Sequence, residues 1–322
     1  MNPASAIIIF TKDRANILIK TLDNIRGTNI PIIILDDSYF IKNRVDNKNI
    51  VKRYNGVTYH GKNEQLEFFK KAGIDQSLLA RFVNRLGVKG WNLGYSRNYA
   101  IVLTKSLQLK KALFMDDDII VEDKELHSTM FGLLDKYDFV GAKITGMLDD
   151  SVIGYIVREL NQPPEEYFSG GFIAFKPHLI SEYFINLYNE DWIWLYFHQV
   201  NCRLYQYGEV KQLTYDNFKN AIKKVKSQEI GEIIVDGIRE VINEPKFHAL
   251  KKPSLWRKML LEKQDYYDHL KILSLKENRR DFHRILCVAA NYSGKLSPSL
   301  FSNIFNDYFR ERQVWLKLLN AI

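Results

Sequence analysis

Residues 112–120 read ALFMDDDII. An apolar run is followed by three consecutive aspartates and then by a second apolar pair. The length and composition of 112–115 predict a buried strand, so Asp116, Asp117 and Asp118 stand at its carboxyl end. Three neighbouring carboxylates repel one another strongly unless a cation or hydrogen-bond donors offset their charge. Hard cations prefer oxygen ligands, which points to a divalent metal carrying a phosphorylated ligand. A solvated acidic turn is the plainer alternative, and short motifs match by chance often enough that the surrounding sequence has to decide.

Upstream, residues 6–10 (AIIIF) form a continuous β-branched run, the pattern of a buried parallel strand. It ends in Thr11-Lys12-Asp13-Arg14. A helix is expected to follow as far as Arg26, with Leu18, Leu22 and Ile25 on one face and Gly27 as its stop. Pro31 opens a second buried strand over 32–35, ending in Asp36-Asp37-Ser38. Open α/β sheets bind ligands outside the carboxyl ends of their strands. If the three strands are parallel neighbours, their polar ends meet at one edge.

Residues 56–89 read as a charged excursion from the sheet. GWNLGYSRNYA (90–100) reads as a turn and a helix start capped by Ser96, with Tyr99, Leu103 and Leu107 on one face. Residues 139–144 are a further candidate strand. SGGFIAF (169–175) opens a strand with two glycines, which suggests close approach of backbone to a ligand. Asn189-Glu190-Asp191 precedes an aromatic helix over 192–197, although acids in a first helical turn are expected from the dipole alone. Residues 232–241 read as a strand or short helix. From Ser254 onward the periodicity is helical throughout, which sets a boundary near Pro253.

The 322 residues are 46% hydrophobic and 26% charged, a globular composition. Cys202 and Cys287 supply neither a disulfide framework nor metal-binding spacing, which suits a reducing cytosol. No signal peptide is recognised and no apolar run approaches the ~20 residues of a membrane span. The formal charge is +8, and the stretch from Leu250 to Ile322, with fourteen Lys and Arg against seven Asp and Glu, carries +7 of it. Basic residues packed into one segment argue against a nucleic-acid partner, which needs them spread along a recognition surface. With Arg257, Lys258, Arg279, Arg280 and Arg284 facing outward, that segment is expected to meet an anionic membrane surface or an acidic partner. Self-association through exposed aromatics is the alternative. The expected location is cytoplasmic, peripheral on the inner face of the membrane if the basic segment docks there.

Taken in order, AIIIFTKDR, IIILDDS, GWNLGYSRNYA, ALFMDDDI, SGGFIAF and NED before an aromatic helix resemble the nucleotide-sugar glycosyltransferases of the GT-A fold, most of all the family-2 group. The resemblance covers roughly residues 6–200 and extends less securely to His248. It implies a Rossmann-like, mostly parallel α/β sheet flanked by helices over 1–253, with the nucleotide-sugar half at about 1–120 and the acceptor half at about 121–253. Residues 254–322 then form a C-terminal helical appendage. It implies a nucleotide-sugar site built from Thr11, Asp13, Arg14, Asp36, Asp37, Asn92, Arg97, Asp116 and Asp117, and Mn²⁺ or Mg²⁺ held by Asp116 and Asp118. Asp191 or its neighbour Glu190 is the implied catalytic base, with Gly170, Gly171 and Trp192 on the acceptor side.

The implied reaction is metal-dependent transfer of a sugar from a nucleoside-diphosphate sugar, a UDP-sugar by expectation, to an acceptor hydroxyl with inversion. The acceptor would be a glycan, a lipid-linked molecule or a protein. PKFHALKKPSLW is similar to the His…Lys-Pro-Trp stretch of some retaining GT-A enzymes, which would add His248 to the metal ligands, but Ser254 interrupts the motif. A retaining enzyme is therefore one alternative and a non-catalytic carbohydrate- or partner-binding module another. A nucleotidyltransferase would carry a glycine-rich loop where FTKDR stands, and GWNLGYS has the wrong spacing for a nicotinamide-binding fingerprint.

Overall fold

The computed structural model describes residues 4–75, 77, 93–146, 151–163, 168–214, 216, 218–242 and 247–322. Asn92 and the turn before Leu93 lie outside the described residues. The continuous apolar runs become the centre of one sheet: β1 (Ser5–Thr11), β2 (Ile32–Asp36), β3 (Val57–His60) and β4 (Lys111–Asp116) pair in parallel in the order β3-β2-β1-β4. The sheet continues past β4 through β7 (Phe172–Phe175), β6 (Phe139–Thr145), β8 (Leu204–Gln212) and the two-residue β5 (Ile119–Ile120). β7 runs antiparallel to both β4 and β6, and β6 and β8 are parallel.

Strand periodicity sends alternate side chains to opposite faces. Ile8, Phe10, Ala112 and Phe114 enter one core cluster, and Ile7, Ile9, Leu113 and Met115 enter the other. Helix α1 (Ala15–Asn24) covers the second face through Leu18 and Leu22. Helices α2 (Ile41–Val51) and α3 (Lys62–Ala72) follow β2 and β3. The first face is covered by α4 (Leu93–Ser106), which buries Tyr99, Ile101 and Leu103. α5 (Leu126–Leu133), α6 (Val152–Glu159) and α7 (Glu190–Gln199) complete the sheet-associated helices, followed by α8 (Ala221–Val241).

The region past Pro253 is three helices, α9 (Pro253–Lys276), α10 (Arg280–Ser293) and α11 (Pro298–Asn320). They are not set apart from the sheet. Trp256, Phe301, Phe305, Tyr308 and Trp315 share a core cluster with Phe114, Phe175 and Trp194. A third cluster joins Val152 and Ile156 of α6 to Val225 of α8, Tyr267 of α9 and Phe282 of α10.

Three sequence expectations change. Residues 57–60 belong to the sheet rather than to an excursion, paired residue for residue with β2. The stretch read as a strand or short helix near 232–241 is the second half of the 21-residue α8, whose charged first half masks its periodicity. Ser96 lies inside α4, three residues past Leu93, rather than at its start. The outward basic face is also partly neutralised within the chain. Lys258 pairs with Glu240 and Arg279 with Glu159 and Asp281, while Arg257, Arg280 and Arg284 are exposed. Among the described residues no helix is long and apolar enough to cross a membrane.

Candidate functional site

Backbone pairing brings the three polar strand ends together. The Asp37 amide donates to Thr11 O at 3.0 Å, the Asp117 amide to Phe10 O at 3.2 Å, and the Asp116 amide to Gly171 O at 2.8 Å. Thr11, Asp37, Asp116, Asp117 and Gly171 therefore share one edge.

The three aspartates have different surroundings. Asp117 is fully buried. Its carboxylate accepts a hydrogen bond from Thr11 Oγ1 at 2.5 Å and pairs with Arg14 Nη2, and its main-chain oxygen accepts from Thr21 Oγ1. Burial pushes its carboxyl up to about 7 against the opposing pull of Arg14 and Thr11. Asp118 Oδ2 accepts from Arg14 Nη1 at 2.9 Å, and Oδ1 receives a long 3.4 Å bond from Gln212. Asp116 is partly open, its side chain 23% exposed, and Arg97 Nη2 lies 3.6 Å from Oδ1. Desolvation raises it to about 6, with Arg97 opposing and Asp118 adding to the rise.

Arg97 comes from the first half of α4 and is 2% exposed. Its guanidinium stands over the rings of Phe10 and Phe184, at 5.8 and 5.5 Å. Nη1 lies 3.1 Å from Glu190 Oε1, yet neither Nε nor Nη1 makes a hydrogen bond of good geometry. Glu190, the first residue of α7, is buried beside it, and desolvation lifts its carboxyl to about 8 despite Arg97. Next to it, Asp191 Oδ2 accepts from the Gly170 amide at 2.7 Å and Oδ1 from the Trp192 amide at 2.9 Å. The glycine pair is required by this crowding. A Cβ on Gly170 would meet Asp191 Cβ, and one on Gly171 would stand 2.9 Å from Asp116 Oδ2.

At the neighbouring strand end, Asp13 and Asp36 spend their carboxylates within the protein. Asp36 is fully buried and accepts from the Ser38 amide at 2.8 Å, Asn47 at 3.0 Å and the Tyr59 hydroxyl at 2.7 Å. Asp13, at φ 54°, accepts from the Tyr39 and Phe40 amides and from Asn43. Burial pulls its carboxyl upward, but these donors outweigh it and leave the group below the usual range. Asp37 is the half-buried acid of this end, raised by desolvation to about 6. Nothing in the sequence singled out Thr21, Asn43, Asn47 or Tyr59; their alignment with the acids is tertiary.

His248 does not join the strand-end group. It is exposed on a one-turn 3₁₀ helix (His248–Lys251) that packs on α8, α9 and α11, and its neighbour Lys251 stands 4.8 Å over the Phe309 ring. Among the described residues no group of three or more His, Cys, Asp and Glu is arranged to hold a metal by itself. Two hard carboxylates remain, Asp116 and Asp118. That number fits a divalent ion completed by ligand phosphates rather than one held in a protein cage. The charges fit as well. Asp116, Asp117, Asp118, Glu190 and Asp191 face two arginines, and Asp116, Asp117 and Glu190 are raised chiefly by desolvation, with neighbouring carboxylates adding to the rise against the pull of the arginines.

No protein-family model and no curated protein matches this sequence. Solved structures do match. The mannosyltransferase PcManGT of Pyrobaculum calidifontis, solved with GDP-Man and Mn²⁺, aligns over 100% of this chain and 85% of its own at a TM-score of 0.50 and 12% identity. The bifunctional glycosyltransferase WbbM aligns over 62% of this chain and 34% of its own, at TM-score 0.33 and 16% identity. 4-Diphosphocytidyl-2C-methyl-D-erythritol synthase of Anaerococcus prevotii aligns over 68% and 91%, at TM-score 0.35 and 14% identity. The first of these shows the fold, a GT-A-like architecture, across the whole chain.

Proposed function

We propose that this chain is a metal-dependent glycosyltransferase that moves a sugar from a nucleoside-diphosphate sugar to an acceptor hydroxyl with inversion, in the manner of the family-2 group. One observation carries the reading. The strand-end aspartates and the Glu190-Asp191 pair, far apart in sequence, are bridged by Arg97, 3.6 Å from Asp116 and 3.1 Å from Glu190. That is a phosphate-side acid cluster and a second carboxylate pair around one buried cation.

Asp116 and Asp118 are the residues to hold the metal, and PcManGT, with GDP-Man and Mn²⁺ bound on the same fold, supports a divalent ion. When bound there, such an ion would supply Lewis-acid neutralisation of the leaving diphosphate. Arg97, whose Nε and Nη1 lack a hydrogen bond of good geometry although Nη1 is ion-paired with Glu190, orients the diphosphate by charge-assisted hydrogen bonds. Asp37 and Thr11 border the nucleoside.

Asp191 is the base. Two backbone amides fix its carboxylate, and it takes the acceptor hydroxyl proton as that oxygen attacks the anomeric carbon and the bond to the diphosphate breaks. Glu190, buried and paired with Arg97, is the less accessible acid of the two. The donor is a UDP- or GDP-sugar, and the acceptor a glycan, lipid-linked molecule or protein.

The reading is tested by incubating the protein with a panel of nucleotide-sugars and Mn²⁺ and following release of nucleoside diphosphate. Release that stops with chelator and resumes with Mn²⁺ is expected. Binding without turnover of any donor or acceptor would favour the non-catalytic module instead.

A further inference from the structure

Arg14 pairs with the carboxylates of two members of the aspartate cluster, Asp117 and Asp118, and the two contacts differ. Toward Asp117 it completes a buried arrangement already held by Thr11 and, through the main-chain oxygen, by Thr21. Toward Asp118 its Nη1 makes the shorter of the two side-chain bonds that carboxylate accepts among the described residues, 2.9 Å against 3.4 Å from Gln212. The Arg14 side chain is 44% exposed, while the Asp118 side chain is 8% exposed. The guanidinium therefore covers Asp118 from its more exposed side while also holding Asp117.

We propose that Arg14 is a resident counter-ion that keeps Asp118 closed to a divalent metal arriving alone and gives up that carboxylate when metal and nucleotide arrive together. The inference rests on the metal reading above and deepens it. A metal ion without phosphate has to displace a charge-assisted hydrogen bond at Asp118. A metal ion with a diphosphate brings a new anionic partner for the released Nη1, which offsets that loss. Metal and donor binding are thereby coupled through one side chain, and the acidic edge does not scavenge divalent ions when no donor is present.

The test is Mn²⁺ binding alone, read from the loss of the free-ion electron paramagnetic resonance signal in nucleotide-free protein. Arg14→Gln is expected to bind Mn²⁺ ~10-fold or more tightly than the native chain, the worth of one charge-assisted hydrogen bond. Arg14→Lys, which keeps the charge but lacks the fork, falls between the two. Lys12→Gln, which removes a positive charge from the same loop, gains much less, and adding Asp118→Asn to Arg14→Gln abolishes the gain. Circular dichroism of each variant confirms that the fold is intact. Equal or weaker Mn²⁺ binding by Arg14→Gln, or an equal gain in Lys12→Gln, overturns the proposal. If native protein and Arg14→Gln bind equally well, the counter-ion role fails and the metal reading stands. If no variant retains Mn²⁺ even with GDP or UDP added, both fail.

Discussion

The Gly170 amide donates a 2.7 Å hydrogen bond to Asp191 Oδ2, and it can do so because nothing projects from Gly170. A Cβ at that position meets Asp191 Cβ and lies 2.9 Å from Arg97 Nη1. Gly170→Ala therefore has to displace the proposed base, the arginine, or both. We expect turnover to fall ~10²-fold or more, since small misplacements of reacting groups cost that much. Stability should fall by about 1–3 kcal/mol, the usual cost of overpacking. Steady-state kinetics beside urea denaturation separates the two effects, and near-native turnover would remove Gly170 from the site.

Asp191→Asn keeps the shape of the side chain and its contact with the Trp192 amide within reach, but removes the basic oxygen. Turnover should drop by ~10²-fold or more with donor KM little changed, the signature of an interaction made in the chemical step. Glu190→Gln should act differently. Because Glu190 pairs with Arg97 at 3.1 Å, its loss disturbs donor binding more than turnover. The reverse pattern would exchange the two assignments.

Two buried histidines make stability sensitive to acid. His198 Nδ1 lies 2.8 Å from Trp194 O, while Nε2 accepts from the Ser181 amide, so the ring has no place for a second proton. Burial lowers both His198 and His127 to about 4. A histidine depressed below its unfolded value stabilises the fold above about pH 6.5, and that contribution is lost as pH falls toward 4. Between pH 7 and 5 the loss is roughly 2 kcal/mol for each ring. The buried carboxyls Asp117, Glu190 and Glu229, raised to about 7, 8 and 7, act in the opposite sense. The clean measurement is therefore a difference, urea stability of the native chain and of His198→Gln at both pH values. Equal pH dependence would contradict a neutral His198, as would a ring resonance titrating near 6.5.

Arg312 of α11 donates from Nε to both oxygens of buried Glu182 at 2.7 Å, and Tyr308 adds a 3.0 Å bond. Glu182 begins the segment whose Phe184 lies under Arg97, the Phe184 amide donating to Asn98 Oδ1 and its carbonyl accepting from Asn98 Nδ2. Arg312→Ala leaves a buried carboxylate without its cation. Since Arg312 is itself 29% exposed, the expected loss is roughly 2–3 kcal/mol, below the range for a fully buried pair. Glu182→Gln in the same background should recover part of it in a double-mutant cycle. A loss below 0.5 kcal/mol would mean that the pair is replaced by solvent.

Much of the architecture is legible in the sequence because buried parallel strands are written as unbroken apolar runs. AIIIF, IIIL and ALFM occupy adjacent positions in the sheet, and the acids after them meet as the strand-end rule predicts. The glycine pair and the Glu190-Asp191 helix start also lie at that edge. β3 was hidden because VTYH is short and half-buried at the sheet's rim. α8 was hidden because AIKKVKSQE carries its apolar residues too sparsely to declare a face. The partners of the acids were not legible at all. That Asp36 turns inward to Asn47 and Tyr59, that Asp13 ties down residues 39–43, and that Arg14 forks across Asp117 and Asp118 depend on contacts no local pattern encodes.

The proposed donor site, with its metal on Asp118, is tested by the melting temperature of the protein with GDP- and UDP-sugars, with and without Mn²⁺. A ligand that binds only the folded state raises that temperature by mass action, by RT ln(1 + [L]/Kd) in free energy. At least one nucleotide-sugar is expected to stabilise the native chain with Mn²⁺ present, chelator to remove the shift, and Asp118→Ala, folded on its own, to show none. No shift with any donor, or a shift indifferent to chelator and to Asp118→Ala, would contradict the proposed site.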